Sequence, residues 1–137
     1  MALTHLIDTS VLTRLSDGDV RAAVEPRAER GELARAGISD LEIGYSARDA
    51  AEWDRLSDAL QAFELIETSG DHLRRARQVQ RLLAARHQRG RKVPDLLIAA
   101  AAESHDLTIL HYDADFDRIA TVTGQPCEWI VPAGSID

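Results

Sequence analysis

A chain of 137 residues that is 45% hydrophobic is long enough for one compact unit around a single core, and no second unit is expected. Its longest apolar run, residues 96–102, is far short of the roughly 18 residues a membrane helix needs, and the start of the chain has no signal-peptide pattern, so the expected location is cytoplasmic, with no membrane partner. The single cysteine, Cys127, excludes an internal disulfide and a cysteine-rich metal cluster, and a net charge of −7 argues against a nucleic-acid partner unless the charge is unevenly spread.

Read in chain order, residues 3–8 form a short apolar run that stops at Asp8-Thr9-Ser10. One or two helical turns follow over residues 11–16, and a helix starting at Asp19 fades by Gly31. Residues 33–38 read as a second strand, with Ser39 capping a short helix to about Ser46. Residues 49–63 have helical spacing through Ala50, Trp53, Leu56, Ala59 and Leu60, and residues 64–67 are a brief third strand. An Arg-rich helix runs from about Gly70 to Arg89 and ends at Gly90. Pro94 opens the next helix as a first-turn proline, and because residues 96–102 are apolar almost all round, this helix is expected to be buried. Residues 107–111 form a fourth strand, residues 115–123 a helix closed by Gly124, and residues 128–131 a last strand. Helical connections between strands imply an α/β fold with a mostly parallel sheet covered on both faces.

The charge is indeed uneven. Residues 74–92 carry seven Arg and one Lys with no acid, while the other eight basic residues face all 23 acids. At 3.6 residues per turn Arg74, Arg77 and Arg81 share one face and Ala76, Val79 and Leu83 the opposite one, which exposes the basic stripe. Ordinary solvated helix faces mix signs, because like charges four residues apart repel. A purely basic stripe is therefore suited to phosphates or to an acidic partner.

Four acids, Asp8, Glu42, Asp95 and Asp113, each fall where a strand ends or a helix begins. Each has a purely structural explanation. Asp8 can cap the helix after it, Ser39 and Glu42 fit a capping box, Asp95 complements a helix dipole and Asp113 can hold a turn. Jointly they suggest more. In a doubly wound sheet the strands ending at Asp8 and Asp113 flank the topological switch point, so both carboxylates face one crevice. Converging carboxylates are hard oxygen ligands of the kind a divalent cation takes.

The same residues carry a resemblance that covers nearly the whole chain. Leu6-Ile7-Asp8-Thr9-Ser10 resembles the opening motif of PIN-domain nucleases, Ser39-Asp40-Leu41-Glu42-Ile43-Gly44 their second, Pro94-Asp95-Leu96-Leu97-Ile98-Ala99-Ala100-Ala101 their third, and Leu110-His111-Tyr112-Asp113-Ala114-Asp115-Phe116 their fourth. Order and spacing match, and the compact length is most similar to VapC toxins of bacterial toxin–antitoxin pairs. The resemblance implies a PIN-like α/β/α sandwich and an endoribonuclease dependent on Mg²⁺ or Mn²⁺, held inactive by a VapB-type antitoxin and paired as a homodimer. His111-Tyr112 departs from the Val-Thr or Leu-Thr pair more usual before the Asp, and Pro94 replaces a small residue.

On that footing Asp8, Asp95 and Asp113 are the expected metal ligands, with Glu42 orienting the attacking water or completing a second site and Asp115 an outer-shell member. Thr9 and Ser10 either contribute to the metal shell and substrate contacts or serve the helix start; Arg74, Arg77 and Arg81 are expected to bind RNA phosphates. Asp117 reads as a solvated helix acid. Other chemistries fit less well. The run from Asp113 to Asp117 begins like a calcium loop, but Arg118 and Gly124 stand where Gly and Glu are needed, and there is no P-loop or GxGxxG. The five histidines lack paired zinc spacing. The rival from another class is a catalytically idle PIN-like module that binds RNA or a protein partner; Mg²⁺-dependent activity lost in EDTA discriminates the two.

Overall fold

A computed structural model describes residues 2–88 and 92–137. The Arg-rich helix ends at Ala85, with Arg86 as its C-cap, short of the expected end at Arg89, and both Arg89 and Gly90 lie outside the described residues. The elements follow in the order β1 (His5–Ile7), α1 (Thr9–Leu12), α2 (Gly18–Glu29), β2 (Leu33–Ala36), α3 (Gly37–Gly44), α4 (Ala50–Leu60), β3 (Glu64–Ile66), α5 (Gly70–Ala85), α6 (Val93–Ser104), β4 (Thr108–His111), α7 (Asp115–Thr123) and β5 (Cys127–Trp129). The strands form one sheet in the order β3-β2-β1-β4-β5, and every pairing is parallel. Helices cover both faces, giving the α/β/α sandwich expected from the alternation of strands and helices.

Alternation along each strand builds the two cores. Leu6, Ala34 and Ile109 point to one face, where Val79 and Leu83 of α5, Ile98 and Ala102 of α6 and Phe116 and Ile119 of α7 pack. Ile7, Leu33 and Leu110 point to the other, against Val11, Val20, Val24, Ile43 and Leu60 from the first four helices. Helix α6 is buried through Leu96, Ile98 and residues 99–102, as its continuous apolar run requires. Gly124 closes α7 in the left-handed region at φ 71°, which glycine adopts without the Cβ penalty.

Two local features depart from the sequence reading. The capping box at Ser39 does not form. Helix α3 starts three residues earlier, after Ala36 and without a side-chain cap, so Ser39 is inside it and buried, and Glu42 has no backbone amide to reach back to. Within β2, Arg35 is buried in the sheet. Its guanidinium forks onto Asp40 at 2.7 and 3.2 Å and donates to the carbonyls of Leu60 and Phe63 at the end of α4. A buried cation is tolerated here because every direction of its fork meets an acceptor, and the pairing ties the first turns of α3 to the α4 terminus.

Candidate metal and substrate site

Strand β1 lies between β2 and β4, so the chain leaves it in one direction toward β2 and returns on the other side as β4. The C-terminal ends of β1 and β4 therefore open the crevice expected at a switch point. Asp8 ends β1 and donates its N–H to Leu110 O at 2.9 Å, while Asp113 follows β4. Helix α6 brings Asp95 on its first turn, and α3 brings Glu42. Together these four acids line a cavity of about 610 Å³.

Each carboxylate is held differently. Asp8 caps α1, with Oδ2 accepting from Ser10 N at 2.9 Å, and its Oδ1 is buried without a hydrogen-bond partner among the described residues. Burial is the main reason its pKa rises to about 6, against the lowering bonds from Ser10 and with a further push from Glu42. Asp95 is also buried, with Oδ2 unpartnered among the described residues, and burial followed by the charges of Asp8 and Asp113 lifts its pKa to about 7. Glu42 accepts a 2.7 Å hydrogen bond from the Thr9 hydroxyl, which lies 2.8 Å from Ser39 Oγ. Asp113 accepts from the Asp115 amide at 2.9 Å through Oδ1 and from Lys92 Nζ at 3.3 Å through Oδ2. Oxygens of Asp95, Asp113 and Asp115 lie within 4.8 Å of one another, so Asp115, expected only in an outer shell, stands as close as the other two.

Two buried carboxylate oxygens with no donor are costly in a metal-free protein, and an all-oxygen set of this kind matches a hard divalent cation. The residues present therefore fit the group that the motifs imply. Both hydroxyls beside Asp8 are engaged: Thr9 with Glu42, and Ser10 as acceptor of the Tyr112 amide at 2.9 Å. These bonds tie α1 to α3 and to the end of β4.

Basic residues lie both away from the cavity and beside it. Arg74, Arg77 and Arg81 are exposed on α5 as expected, but none lines the cavity. Arg74 pairs with Asp71, and its neighbour Arg75 forks onto Glu103 at 2.6 and 3.1 Å, at the end of α6 remote from Asp95. Among the described residues, the cations that line the cavity are Arg14 and Lys92. Arg14 donates to Ser10 O at 2.7 Å and lies 5.0 Å from the centroid of the Tyr112 ring. Desolvation works to lower the Lys92 pKa, but Asp113, Asp95 and Asp115 outweigh it and hold it above the ordinary value. Lys92 was legible only as one member of the basic run, and nothing in the sequence singled out Arg14.

Comparison with known proteins gives three concordant results. Residues 5–122 match the family model described as PIN domain. The chain is 68% identical over 137 residues to Ribonuclease VapC51 of Mycobacterium tuberculosis, covering 100% of both, and 42% identical to Ribonuclease VapC21 of the same species, covering 98% of this chain and 99% of the relative. Among solved structures, VapBC2 from Rickettsia felis bound to a promoter DNA fragment superposes with a TM-score of 0.76 at 20% identity, over 94% of this chain and 99% of the other.

Proposed function

Since the chain belongs to the PIN-domain family, we propose that it acts as a single PIN domain over residues 1–137, a VapC-type endoribonuclease toxin that hydrolyses RNA phosphodiester bonds with Mg²⁺, or Mn²⁺ in its place, and is held inactive by a VapB-type antitoxin. The observation that carries the reading is the pair of buried, unpartnered oxygens on Asp8 and Asp95 in a cavity also lined by Glu42 and Asp113. An idle binding module would retain the same cost with nothing to offset it.

Asp8, Asp95 and Asp113 would hold the cation, with Asp115 near enough to share it. A divalent cation in this position supplies charge stabilisation for the phosphate and makes water a better nucleophile at neutral pH. Glu42, its carboxylate fixed by Thr9, orients the attacking water and accepts its proton. Arg14 and Lys92 present positive charge at the rim of an acidic cavity, where an approaching phosphate would otherwise be repelled. Purified protein should cut single-stranded RNA with either metal and stop in EDTA; no cleavage with either metal at neutral or alkaline pH would sink the proposal.

RNA binding should divide between two sets of cations. Arg14 and Lys92 act at the cavity, while Arg74, Arg77 and Arg81 contact outlying phosphates. Each lost phosphate contact on a single strand flattens the slope of log K against log salt by roughly 0.7. Replacing the three α5 arginines by Gln should raise KM with kcat nearly unchanged, because such contacts are made equally in ground and transition states. An unaltered salt slope would assign that helix to a partner instead.

An antitoxin has an apolar seat available. Leu12, Leu15, Ile43, Leu56 and Phe63, from α1, α3, α4 and the turns that follow them, line a groove of about 400 Å³, with Leu41 and Tyr45 exposed on α3. Val11, on the same first helix, is wholly buried and belongs to the core. A helix laid in that groove could extend an Arg or Lys to the carboxylates. Co-expression with a small neighbouring antitoxin gene should yield an RNase-inactive complex, and Leu56→Asp should weaken it; recovery of free, active protein would count against this seat. The free protein is expected to run as a homodimer, which light scattering at micromolar concentration checks.

A further inference from the structure

His111 is a buried group to which the cation site assigns no role. It ends β4, is wholly inaccessible, and lies with ring centroids 5.2 Å from Phe116 and 4.9 Å from Trp129. Its Nδ1 accepts the backbone N–H of Asp113 at 3.1 Å. A neutral imidazole that accepts at Nδ1 carries its proton on Nε2. Among the described residues that Nε2 has no hydrogen-bond partner, and 3.9 Å away stands Oδ1 of Asp117. Asp117 is not merely the solvated helix acid its sequence position suggests. Its carboxylate also accepts the indole N–H of Trp129 at 3.1 Å and the thiol of Cys127 at 3.5 Å, so polar hydrogens from β4 and β5 converge on one first-turn residue of α7.

We propose that Asp117 and His111 form a positioning pair, in which Asp117 keeps the proton on His111 Nε2 and the bare Nδ1 fixes the backbone of Asp113, and with it the aim of the Asp113 carboxylate into the cavity. The inference rests on Asp113 being a cation ligand. The other bonds to Asp113 come from the Asp115 amide and Lys92 Nζ to its side chain and from the Phe116 amide to its carbonyl. His111 is the group that ties this turn to the end of the sheet. In the opposite tautomer, Nδ1–H and the Asp113 N–H would confront each other as two donors across 3.1 Å, and the turn would have to move.

The same geometry speaks against a rival use of the cluster. Ligand atoms of His111, Asp117 and Cys127 lie within 4.8 Å of one another, as a thiophilic cation would require. Such a cation needs the Nε2 lone pair, and so a proton on Nδ1 facing the Asp113 amide. Burial, then Asp117, also raises the Cys127 pKa to about 11, which disfavours the thiolate.

The decisive measurement is a ¹H–¹⁵N spectrum of histidine-labelled, metal-free protein, read beside Mn²⁺ binding followed by electron paramagnetic resonance. His111 should have Nε2 protonated and Nδ1 bare, and Asp117→Ala should mix the tautomers. His111→Leu, which keeps bulk without an acceptor, should weaken Mn²⁺ binding by about 10- to 100-fold, the usual effect of losing an outer-shell partner, with KM for RNA little changed at saturating metal. His111→Asn places an oxygen near the Nδ1 position and should restore most of that affinity. A purely packing role would lower thermal stability in both variants and leave Mn²⁺ affinity unmoved in folded protein, which would overturn the proposal. So would an Nδ1-protonated His111, or tight Zn²⁺ binding that Cys127→Ser removes. A wild-type protein with the expected tautomer but no Mn²⁺ binding would instead refute the cation reading beneath it.

Discussion

Asp95→Asn is expected to reduce RNA cleavage by at least about 10³-fold, the scale on which removal of one charge-stabilising group acts, while leaving the metal-free fold as stable as wild type or more so. The two halves of this result have one cause. Asp95 ionises in the folded protein only near pH 7, against 3.8 for the free group, because burial and then Asp8 and Asp113 oppose its charge. Between those two values the folded state binds more protons than the unfolded, so the stability of the metal-free protein falls as pH rises from about 4 to 7 and levels off above. The strain at alkaline pH is on the order of a few kcal/mol. Asparagine removes it. In EDTA at pH 8 the variant should therefore melt no lower than wild type, with the difference shrinking toward pH 4. Wild-type cleavage rates in folded Asp95→Asn would show that the cavity is not the site of chemistry.

Cation binding should be steeply pH dependent. Holding Mg²⁺ requires the ionised forms of Asp8 and Asp95, whose pKa values of about 6 and about 7 leave both substantially protonated in mild acid. Binding near pH 6 must then displace protons, and affinity should fall roughly tenfold per pH unit for each proton displaced. Calorimetric titration in buffers of different ionisation enthalpy counts those protons directly. Above about pH 8 the dependence should vanish, and the metal should raise the melting temperature most there, where it relieves the charge repulsion described above. An affinity that is flat from pH 5.5 to 8 would mean that the two buried carboxyls are not ligands.

The sheet and the four acids were legible in the sequence because both depend on periodicity and on where strands end. Asp8 and Asp113 converge for topological reasons that need no side-chain detail. Fates set by distant neighbours were not legible. Ser39-Asp40-Leu41-Glu42 has the spacing of a capping box, yet Thr9, thirty residues earlier, takes both ends of it. Arg35 interrupts an apolar strand, and Asp40 together with the carbonyls at the α4 terminus makes its burial tolerable. Asp117 has the pattern of a surface helix acid, and its donors arrive from β4 and β5. Arg14 and Lys92 carry no periodic signal at all, since their place at the cavity follows from how α1 and α6 meet the sheet edge.

The central position of β1 also sets a timetable. Its partner β4 is made about a hundred residues later, and the bond from the Tyr112 amide to Ser10 Oγ closes a loop of 102 residues. During synthesis, at roughly 5–20 residues per second, Asp8 therefore exists for several seconds before Asp95 and Asp113 have left the ribosome. Loop closure over such distances makes this kind of topology slow to assemble. The groove walls of α1, α3 and α4 are complete in sequence by Phe63, long before the last acid emerges. A partner made alongside could meet its docking surface on the nascent chain before a functional cavity exists, so that containment precedes hazard.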